Sequence, residues 1–228
     1  QNIKLARQLH LSKLESDTMR LVKVIEKECK IVRDKSRDCN KKRDLPESLL
    51  SVKNIAFTYP GAKKETLHDI SFDIYPGQTV ALMGYNGAGK STLMNLLAGL
   101  TKQSVGKIKF LNDGIIRNAH LIGYLRQEPD LMLLADSVLE ELYWKNKKAD
   151  EKYINNIIDK MSLREYVNDF PLALSKGQRL RTVLGALLAR KPKLLLLDEP
   201  TAGQDQQSLD EIKELIAFFA AGGGSVLF

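Results

Sequence analysis

The spacing of hydrophobic residues divides the chain near residue 46. Before that point, four apolar residues recur at helical intervals in a strongly charged background: Leu14, Leu21, Ile25 and Val32. This pattern predicts one or two helices that carry too few apolar residues to bury a core of their own. We therefore expect residues 1–45 to form a charged helical segment, either a linker or the tail of a preceding domain.

From residue 46 onward the pattern changes to short strands and amphipathic helices, with turn signals at Pro60-Gly61 and Pro76-Gly77. Strands are predicted at 50–59, 66–74, 79–83, 106–111, 119–125, 194–197 and 225–228. Helices are predicted at 91–100, 137–144, 151–161, 178–190 and 205–219, with a shorter piece near Arg164. This order predicts an α/β nucleotide-binding fold over 46–228, with an antiparallel β subdomain and a helical subdomain at about 128–175.

A glycine-rich loop after the third predicted strand carries the most specific chemistry. Residues 84–92 fit the phosphate-binding pattern G-x-x-x-x-G-K-[ST], between a predicted strand and a predicted helix. Inward-facing backbone N–H groups in such a loop form an anion site, and the positive end of the helix faces the phosphates. We expect Lys90 on the β- and γ-phosphates and Ser91 on Mg²⁺. The predicted nucleotide-binding residues here are Gly84, Asn86, Gly87, Ala88, Gly89, Lys90, Ser91 and Thr92.

Two carboxylates follow the apolar strand predicted at 194–197. Ligands in open α/β sheets bind at the carboxyl ends of the strands, so Asp198 and Glu199 are expected to meet the same nucleotide as the loop. We expect Asp198 to hold Mg²⁺ directly or through water. Glu199 is the next residue along a strand, points differently, and is the candidate to polarise an attacking water. Without the loop, acidic residues that simply end a strand would be the better interpretation.

A third motif, Leu174-Ser175-Lys176-Gly177-Gln178, precedes the helix predicted at 178–190. A serine and a glycine at a helix start can bind an anion through backbone amides and the hydroxyl. Taken alone, the same residues would be an ordinary helix cap. All three motifs are present, and along the chain they occur in the order 84–92, 174–178 and 198–199. This combination favours a role in nucleotide binding.

Together the motifs resemble those of the nucleotide-binding domain of ATP-binding cassette (ABC) transporter ATPases, over about residues 50–228. Residues 84–92 resemble the Walker A loop, 194–199 resemble Walker B with its catalytic glutamate, and 174–178 resemble the signature motif, with Lys176 where the family often has glycine. Residues 201–205 resemble the D-loop.

The resemblance also implies roles for single residues. Gln127 matches the Q-loop glutamine that reaches Mg²⁺ and the attacking water, and Tyr59 matches the aromatic residue that stacks on adenine. The expected catalytic residues are then Glu199, Gln127 and Lys90. The expected metal site consists of Ser91, Gln127 and Asp198.

An ABC-type P-loop NTPase is expected to use ATP and Mg²⁺ and to hydrolyse ATP. The family closes two cassettes head to tail around two ATPs, which implies a second ABC ATPase domain as partner and puts Ser175, Gly177 and Gln178 on the partner's nucleotide. It also implies an integral membrane component and a cytoplasmic location on the inner face of the cell membrane. Residues 128–145 are apolar enough to form a groove for that component, although the core of the helical subdomain is the simpler interpretation.

Finer features resemble one branch, the ATPase subunits of energy-coupling-factor importers, which take up vitamins and transition-metal ions. These features are Phe-Thr-Tyr-Pro at 57–60, Gln-Glu-Pro-Asp at 127–130 and Thr-Ala-Gly at 201–203. Some members contain two fused cassettes, and an upstream cassette would explain residues 1–45. The family places a switch histidine after the strand that begins at Ser225, beyond Phe228, so we expect weak turnover from this sequence alone.

The net charge of +7 is concentrated in the N-terminal segment. Residues 1–44 hold 13 Lys and Arg against 7 Asp and Glu, whereas the rest of the chain is nearly neutral. A basic arm could contact nucleic acid or anionic lipid, but a solvated helix or linker is the better interpretation, and we expect no nucleic-acid partner. The alternative is a non-transport ABC protein, such as a ribosome-associated factor with a basic linker; the Asn-His-Leu-Asp D-loop usual in those factors is absent.

Overall fold

The computed structural model describes residues 47–144, 149–200 and 210–228 in full, and the backbone of residues 4–6 and 206–209. Most of the charged segment predicted at 1–45 and the whole D-loop at 201–205 therefore lie outside the described residues. Within the described part of the chain, no helix is long and apolar enough to cross a membrane.

Nine strands and five α-helices are described. The strands are β1 (Lys4–Ala6), β2 (Leu50–Phe57), β3 (Leu67–Ile74), β4 (Thr79–Met83), β5 (Val105–Phe110), β6 (Asp113–Gly114), β7 (Ile122–Leu125), β8 (Leu194–Leu197) and β9 (Ser225–Leu227). The helices are α1 (Lys90–Leu97), α2 (Val138–Tyr143), α3 (Glu151–Lys160), α4 (Lys176–Ala189) and α5 (Gln206–Ala221). Short 3₁₀ helices lie at Ile115–Leu121, Pro129–Met132, Arg164–Tyr166 and Pro171–Ala173.

The first sheet is antiparallel, with the strand order β3-β2-β5-β6. Strand β2 pairs with β3 on one side and with β5 on the other, and its residue Leu50 lies opposite Ile74 and Phe110. All three of these side chains are fully buried. The apolar face of this sheet packs on helix α1, because the two contribute to one hydrophobic cluster.

The second sheet has the order β1-β4-β9-β8-β7, in which β4, β9, β8 and β7 run parallel. Parallel strands place their carboxyl ends at the same edge, so the segments after β4, β7 and β8 meet there. Strand β1 pairs antiparallel with β4 at the other margin, with Lys4 opposite Met83. The prediction of helix is therefore wrong for residues 4–6.

Strand β8 lies between two hydrophobic clusters and exposes none of its side chains. Leu194 and Leu196 join the cluster formed by the antiparallel sheet and α1, whereas Leu195 and Leu197 join the cluster formed with α2, α3 and α4. All four leucines are fully buried. The continuous apolar run therefore reflects burial on both faces, as expected for an inner parallel strand.

The predicted α/β architecture is confirmed, and the differences from it are local. Residues 119–121, predicted as the start of a strand, belong to the 3₁₀ helix Ile115–Leu121, and the strand begins at Ile122. Helix α4 begins at Lys176, two residues before the predicted start at 178, because Ser175 caps it.

At Gly106 the backbone of β5 passes so close to that of β2 that there is no room for a side chain. Its φ is +88°, and a Cβ added there would lie 2.5 Å from the Lys53 carbonyl oxygen and closer still to that of Asn54. The pairing of β2 with β5 shifts register between Lys53 and Ala56, so the two backbones meet at an irregular point of the ladder.

We expect Gly106→Ala to lower the free energy of unfolding by about 1–3 kcal/mol more than Gly61→Ala does, measured by urea denaturation. Gly61 is the matched control, because its φ is +79° but an added Cβ meets nothing within 4 Å. Both variants share the cost of a left-handed alanine, and only Gly106→Ala adds the clash. Equal losses in the two variants would contradict this account.

Candidate functional site

The candidate site is a cleft at the carboxyl edge of the parallel sheet. Helix α1, which follows the loop after β4, meets the end of β7 and the segments after β7 and β8 here. The cleft is lined by polar side chains and one leucine from these elements: Ser91, Asn95, Tyr124, Arg126, Gln127, Glu128, Leu131 and Asp198. The predicted metal-binding residues Ser91, Gln127 and Asp198 are therefore brought together.

The glycine-rich loop has backbone torsions that require glycine at two positions. Gly87 has a φ of +76°, and Gly89, the N-cap of α1, has a φ of +93°. A Cβ on Gly89 would also lie 2.7 Å from Leu67 Cδ2, so the loop packs directly against the start of β3.

Lys90 extends across this loop. Its ammonium group donates to the Gly84 carbonyl at 2.8 Å and reaches the Tyr85 carbonyl at 3.4 Å. The cation is therefore held over the concave side of the loop, where a phosphate would neutralise it.

Ser91 and Asp198 join the loop to the end of β8. The Ser91 hydroxyl donates to Asp198 Oδ1 at 3.1 Å, although the two residues are 107 positions apart in sequence. Asp198 is 5% exposed, and its amide donates to the Leu125 carbonyl of the neighbouring strand at 2.9 Å.

A hydroxyl and a carboxylate at this separation suit a hard cation such as Mg²⁺. Among the described residues no group of three or more His, Cys, Asp or Glu could hold a metal ion. A Mg²⁺ bound here would therefore take further oxygens from nucleotide phosphates and water, which is usual for this ion. The residues present fit the predicted metal.

Tyr124 also belongs to the site, and sequence reasoning missed it. Its hydroxyl lies 3.3 Å from Asp198 Oδ2 and 3.1 Å from Asn95 Oδ1. Burial, with a further contribution from the Asp198 charge, raises the pKa of Tyr124 well above its ordinary value, so the phenol keeps its proton. The available signal was a single hydroxyl-bearing residue in an otherwise apolar strand that leads to Gln127.

Gln127 and Glu199, the two predicted water-activating residues, are in contact. The Gln127 side-chain amide donates to Glu199 Oε2 at 3.3 Å. Glu199 has a φ of +52°, the left-handed region that non-glycine residues avoid. This strained backbone turns the chain out of the strand direction directly after Asp198, and such strain is commonly stored at functional sites.

Tyr59, predicted to stack on adenine, lies next to helix α1. Its hydroxyl is 3.0 Å from the hydroxyl of Thr92, another predicted nucleotide-binding residue. Its ring packs edge-on against Phe57 at a centroid distance of 4.9 Å and remains 45% exposed. Tyr59 is therefore placed at the phosphate loop with part of its ring open to solvent.

The signature segment forms a capping box at the start of α4. The Ser175 hydroxyl accepts from the Gln178 amide at 3.3 Å, and Gln178 Oε1 accepts from the Ser175 amide at 2.9 Å. Among the described residues that line the cleft, Ser175, Gly177 and Gln178 do not occur. These three residues are therefore not part of the cleft of their own chain.

Arg179 connects the signature helix to the segment that follows Gln127. Its Nε lies 2.9 Å from Asp130 Oδ1, and its guanidinium also donates to the Leu174 carbonyl at 2.8 Å. An ion pair between these segments ties the positions of the two motifs together.

The apolar segment predicted at 128–145, described through residue 144, divides between core and surface. Leu133 is buried in the hydrophobic cluster formed with α2, α3 and α4 (the helical cluster), whereas Leu131 and Leu134 are about two-thirds exposed. The carboxylate of Glu141, itself buried, accepts hydrogen bonds from the amides of Leu134 and Ala135 at 2.7 and 2.8 Å. This carboxylate fixes the turn that presents the exposed leucines.

Comparison with known proteins identifies the family. A family model described as ABC transporter matches residues 67–202. A Bacillus anthracis protein named "Putative ABC transporter ATP-binding protein" is 36% identical over 201 residues, covering 82% of this chain and 35% of the relative. A Methanosarcina mazei protein of the same name is 43% identical over 166 residues, covering 66% of this chain and 28% of the relative.

Solved structures agree with this assignment. The chain resembles cbiO1 from Clostridium perfringens, described as part of the ABC transporter complex cbiONQ, with a TM-score of 0.71 and 28% identity over 79% of this chain and 77% of cbiO1. It also resembles a dimeric ATP-binding cassette bound to ADP and Pi, with a TM-score of 0.68 and 26% identity over 78% of this chain and 86% of the other.

The chain belongs to the ABC transporter family and has the fold of its ATPase domains. Domains of this family bind ATP, with Mg²⁺ as the usual partner. The chain spans about a third of the length of the curated relatives it matches.

We expect Glu141→Gln to lower the free energy of unfolding by about 1–2 kcal/mol, because hydrogen bonds to a charged acceptor are stronger than those to an amide oxygen. Glu140→Gln is the matched control on the same helix; Glu140 is exposed, and the change is expected to stay within about 0.5 kcal/mol. Urea denaturation measures both. Equal effects would show that the negative charge of the acceptor adds nothing to the stability of these two contacts.

Proposed function

We propose that this chain binds and hydrolyses ATP to power a membrane importer of the energy-coupling-factor type, for a vitamin or a metal ion. The observation that carries the proposal is the convergence of three sequence-distant segments on one cleft. Lys90 and Ser91 come from the first turn of α1, directly after the glycine-rich loop, Gln127 from the segment after β7, and Asp198 and Glu199 from the end of β8.

Lys90 and the loop amides would hold the phosphates of ATP. The Lys90 ammonium already points across the loop. When ATP binds, it would exchange its carbonyl acceptors for the negatively charged β- and γ-phosphate oxygens. Gly84, Asn86, Gly87, Ala88 and Gly89 supply the surrounding backbone. Ser91 and Asp198, with Gln127 nearby, would hold Mg²⁺, which supplies charge neutralisation on the phosphates when bound.

Glu199 and Gln127 would act on the attacking water. A carboxylate that accepts a hydrogen bond from a neighbouring amide is held in place and keeps a second oxygen free to accept a proton. Phosphoryl transfer to water depends on positioning and electrostatics more than on covalent chemistry. The contact between these two side chains supports that division of roles.

Tyr59 would bind the adenine. Its partly exposed ring lies against α1, whose first turn carries Lys90, Ser91 and Thr92. Stacking of an aromatic side chain on a base contributes about 1–3 kcal/mol in other nucleotide-binding proteins.

We propose that a second ABC ATPase domain completes the site. Ser175, Gly177 and Gln178 do not line the cleft of their own chain, which is consistent with action on a partner's nucleotide. They lie at the N-terminus of a 14-residue helix, the end at which the helix dipole favours an anion.

The importer branch rests on two observations. The sequence features at 57–60, 127–130 and 201–203 resemble energy-coupling-factor ATPases, and cbiO1 is similar in structure over most of the chain. The chain would then bind an integral membrane component on the cytoplasmic face, with the exposed leucines Leu131 and Leu134 as candidate contacts.

We expect Lys90→Ala to weaken ATP binding by about 10-fold or more, because it removes a charge-assisted contact worth about 1.5–3 kcal/mol. Calorimetric titration with a non-hydrolysable ATP analogue and Mg²⁺ measures the effect. Lys102→Ala, at an exposed lysine outside the cleft, is the control and should bind as the parent does. Equal affinities for all three proteins would overturn the phosphate-loop assignment.

Uptake in cells tests the importer. Replacing the chromosomal gene with the Lys90→Ala variant should abolish ATP-dependent uptake of one member of a panel of radiolabelled vitamins and transition-metal ions, and Lys102→Ala should leave it unchanged. Normal uptake across the panel, together with a ribosome-assembly or translation defect, would favour the non-transport alternative.

A further inference from the structure

We propose that Tyr124 is a positioning residue for Asp198, and that its hydroxyl fixes the carboxylate in the orientation that Mg²⁺ requires. This inference rests on the proposed nucleotide site. No role for this position followed from the sequence motifs, and the assignment comes from its hydrogen bonds.

The two oxygens of Asp198 face two different hydroxyl groups. Oδ1 accepts from Ser91 at 3.1 Å, and Oδ2 accepts from Tyr124 at 3.3 Å. A carboxylate held at one oxygen can still rotate about its last torsion, which is broad in aspartate. A donor at each oxygen fixes the plane of the group and directs Oδ1 toward the Ser91 hydroxyl.

Tyr124 is itself held in place from two sides. It lies on β7 in register with Leu196 of β8, and its ring packs against the cluster that contains α1. Its hydroxyl also meets Asn95 Oδ1 at 3.1 Å. Ser91 and Asn95 are four residues apart on α1, so they lie on one face of the helix; Ser91 contacts Asp198, and Asn95 contacts Tyr124.

The hydroxyl carries one proton for two acceptors, so it can donate to Asn95 or to Asp198 at a given moment. Asp198 is almost completely buried, and solvent cannot readily replace a lost donor. Removing the hydroxyl therefore leaves Oδ2 without a donor among the described side chains, and leaves the carboxylate free to turn away from Ser91. Partners that orient a metal ligand in this way commonly change metal affinity by about 10- to 100-fold.

Tyr124→Phe tests the proposal, and Tyr153→Phe is the matched control. Tyr153 is also half-buried, and its hydroxyl donates to the Leu188 carbonyl at 3.1 Å within the helical cluster. Both variants delete one hydroxyl from a packed ring. Affinity for a non-hydrolysable ATP analogue is measured by calorimetry with Mg²⁺ and with EDTA, and Mn²⁺ binding to the nucleotide complex is measured by electron paramagnetic resonance.

We expect Tyr124→Phe to bind Mn²⁺ about 10-fold more weakly than the parent. Its affinity for the ATP analogue should fall by a similar factor in Mg²⁺ and should stay unchanged in EDTA. Tyr153→Phe should match the parent in every measurement. In an Asp198→Asn background, adding Tyr124→Phe should have little further effect on metal binding, because the carboxylate it positions is gone.

Three outcomes would overturn the inference. Tyr124→Phe could bind the metal as Tyr153→Phe does, or it could lose affinity equally in Mg²⁺ and EDTA, which would indicate general damage to the site. It could also retain its full effect without the Asp198 carboxylate. If the parent itself gains no affinity from Mg²⁺, the proposed metal site fails first, so the two failures are distinguishable.

Discussion

The site depends on the burial of strand β8 from both sides. Leu194 and Leu196 face one hydrophobic cluster, and Leu195 and Leu197 face the other. Neither face of the strand can therefore turn toward solvent without exposing apolar side chains. A shift of one residue would move each side chain to the opposite cluster and would move the carboxylate after the strand. The packing of the core therefore fixes the position of Asp198 at the carboxyl edge of the parallel sheet.

The order of the parallel strands brings the proposed nucleotide-binding residues to one edge of the sheet. Strands β4, β7 and β8 contribute their carboxyl ends to one edge, although Ser91 and Asp198 are 107 residues apart in the chain. Side-chain hydrogen bonds then join the segments pairwise, Ser91 to Asp198 and Gln127 to Glu199. The site is thus assembled from loops that carry little structure of their own but are anchored on rigid elements.

The sequence was most informative where chemistry is encoded locally. The glycine-rich loop between a strand and a helix, and the apolar run of β8, each depend on neighbours within a few residues, and the structure has the strands and the helix at those positions. Tyr124 and Glu141 could not be found in this way, because their significance comes from partners on other segments: Asp198 and Asn95 for the tyrosine, and the amides of a turn for the glutamate. The antiparallel pairing of residues 4–6 with β4 has the same character, since it depends on a partner nearly 80 residues away.

Several of the predicted site residues already have hydrogen-bond partners within the chain, and this has a consequence for nucleotide binding. Lys90 is bonded to loop carbonyls, Ser91 to Asp198, and Gln127 to Glu199. At the proposed site, ATP and Mg²⁺ would replace existing hydrogen bonds, and Lys90 would gain by exchanging neutral carbonyl acceptors for charged phosphate oxygens. The same pairing holds the side chains near their working positions before the ligand arrives, which lowers the entropy lost on binding. The backbone of Glu199 is less favourable, because its φ lies in the left-handed region. The packing of the surrounding core has to offset the cost of that strain.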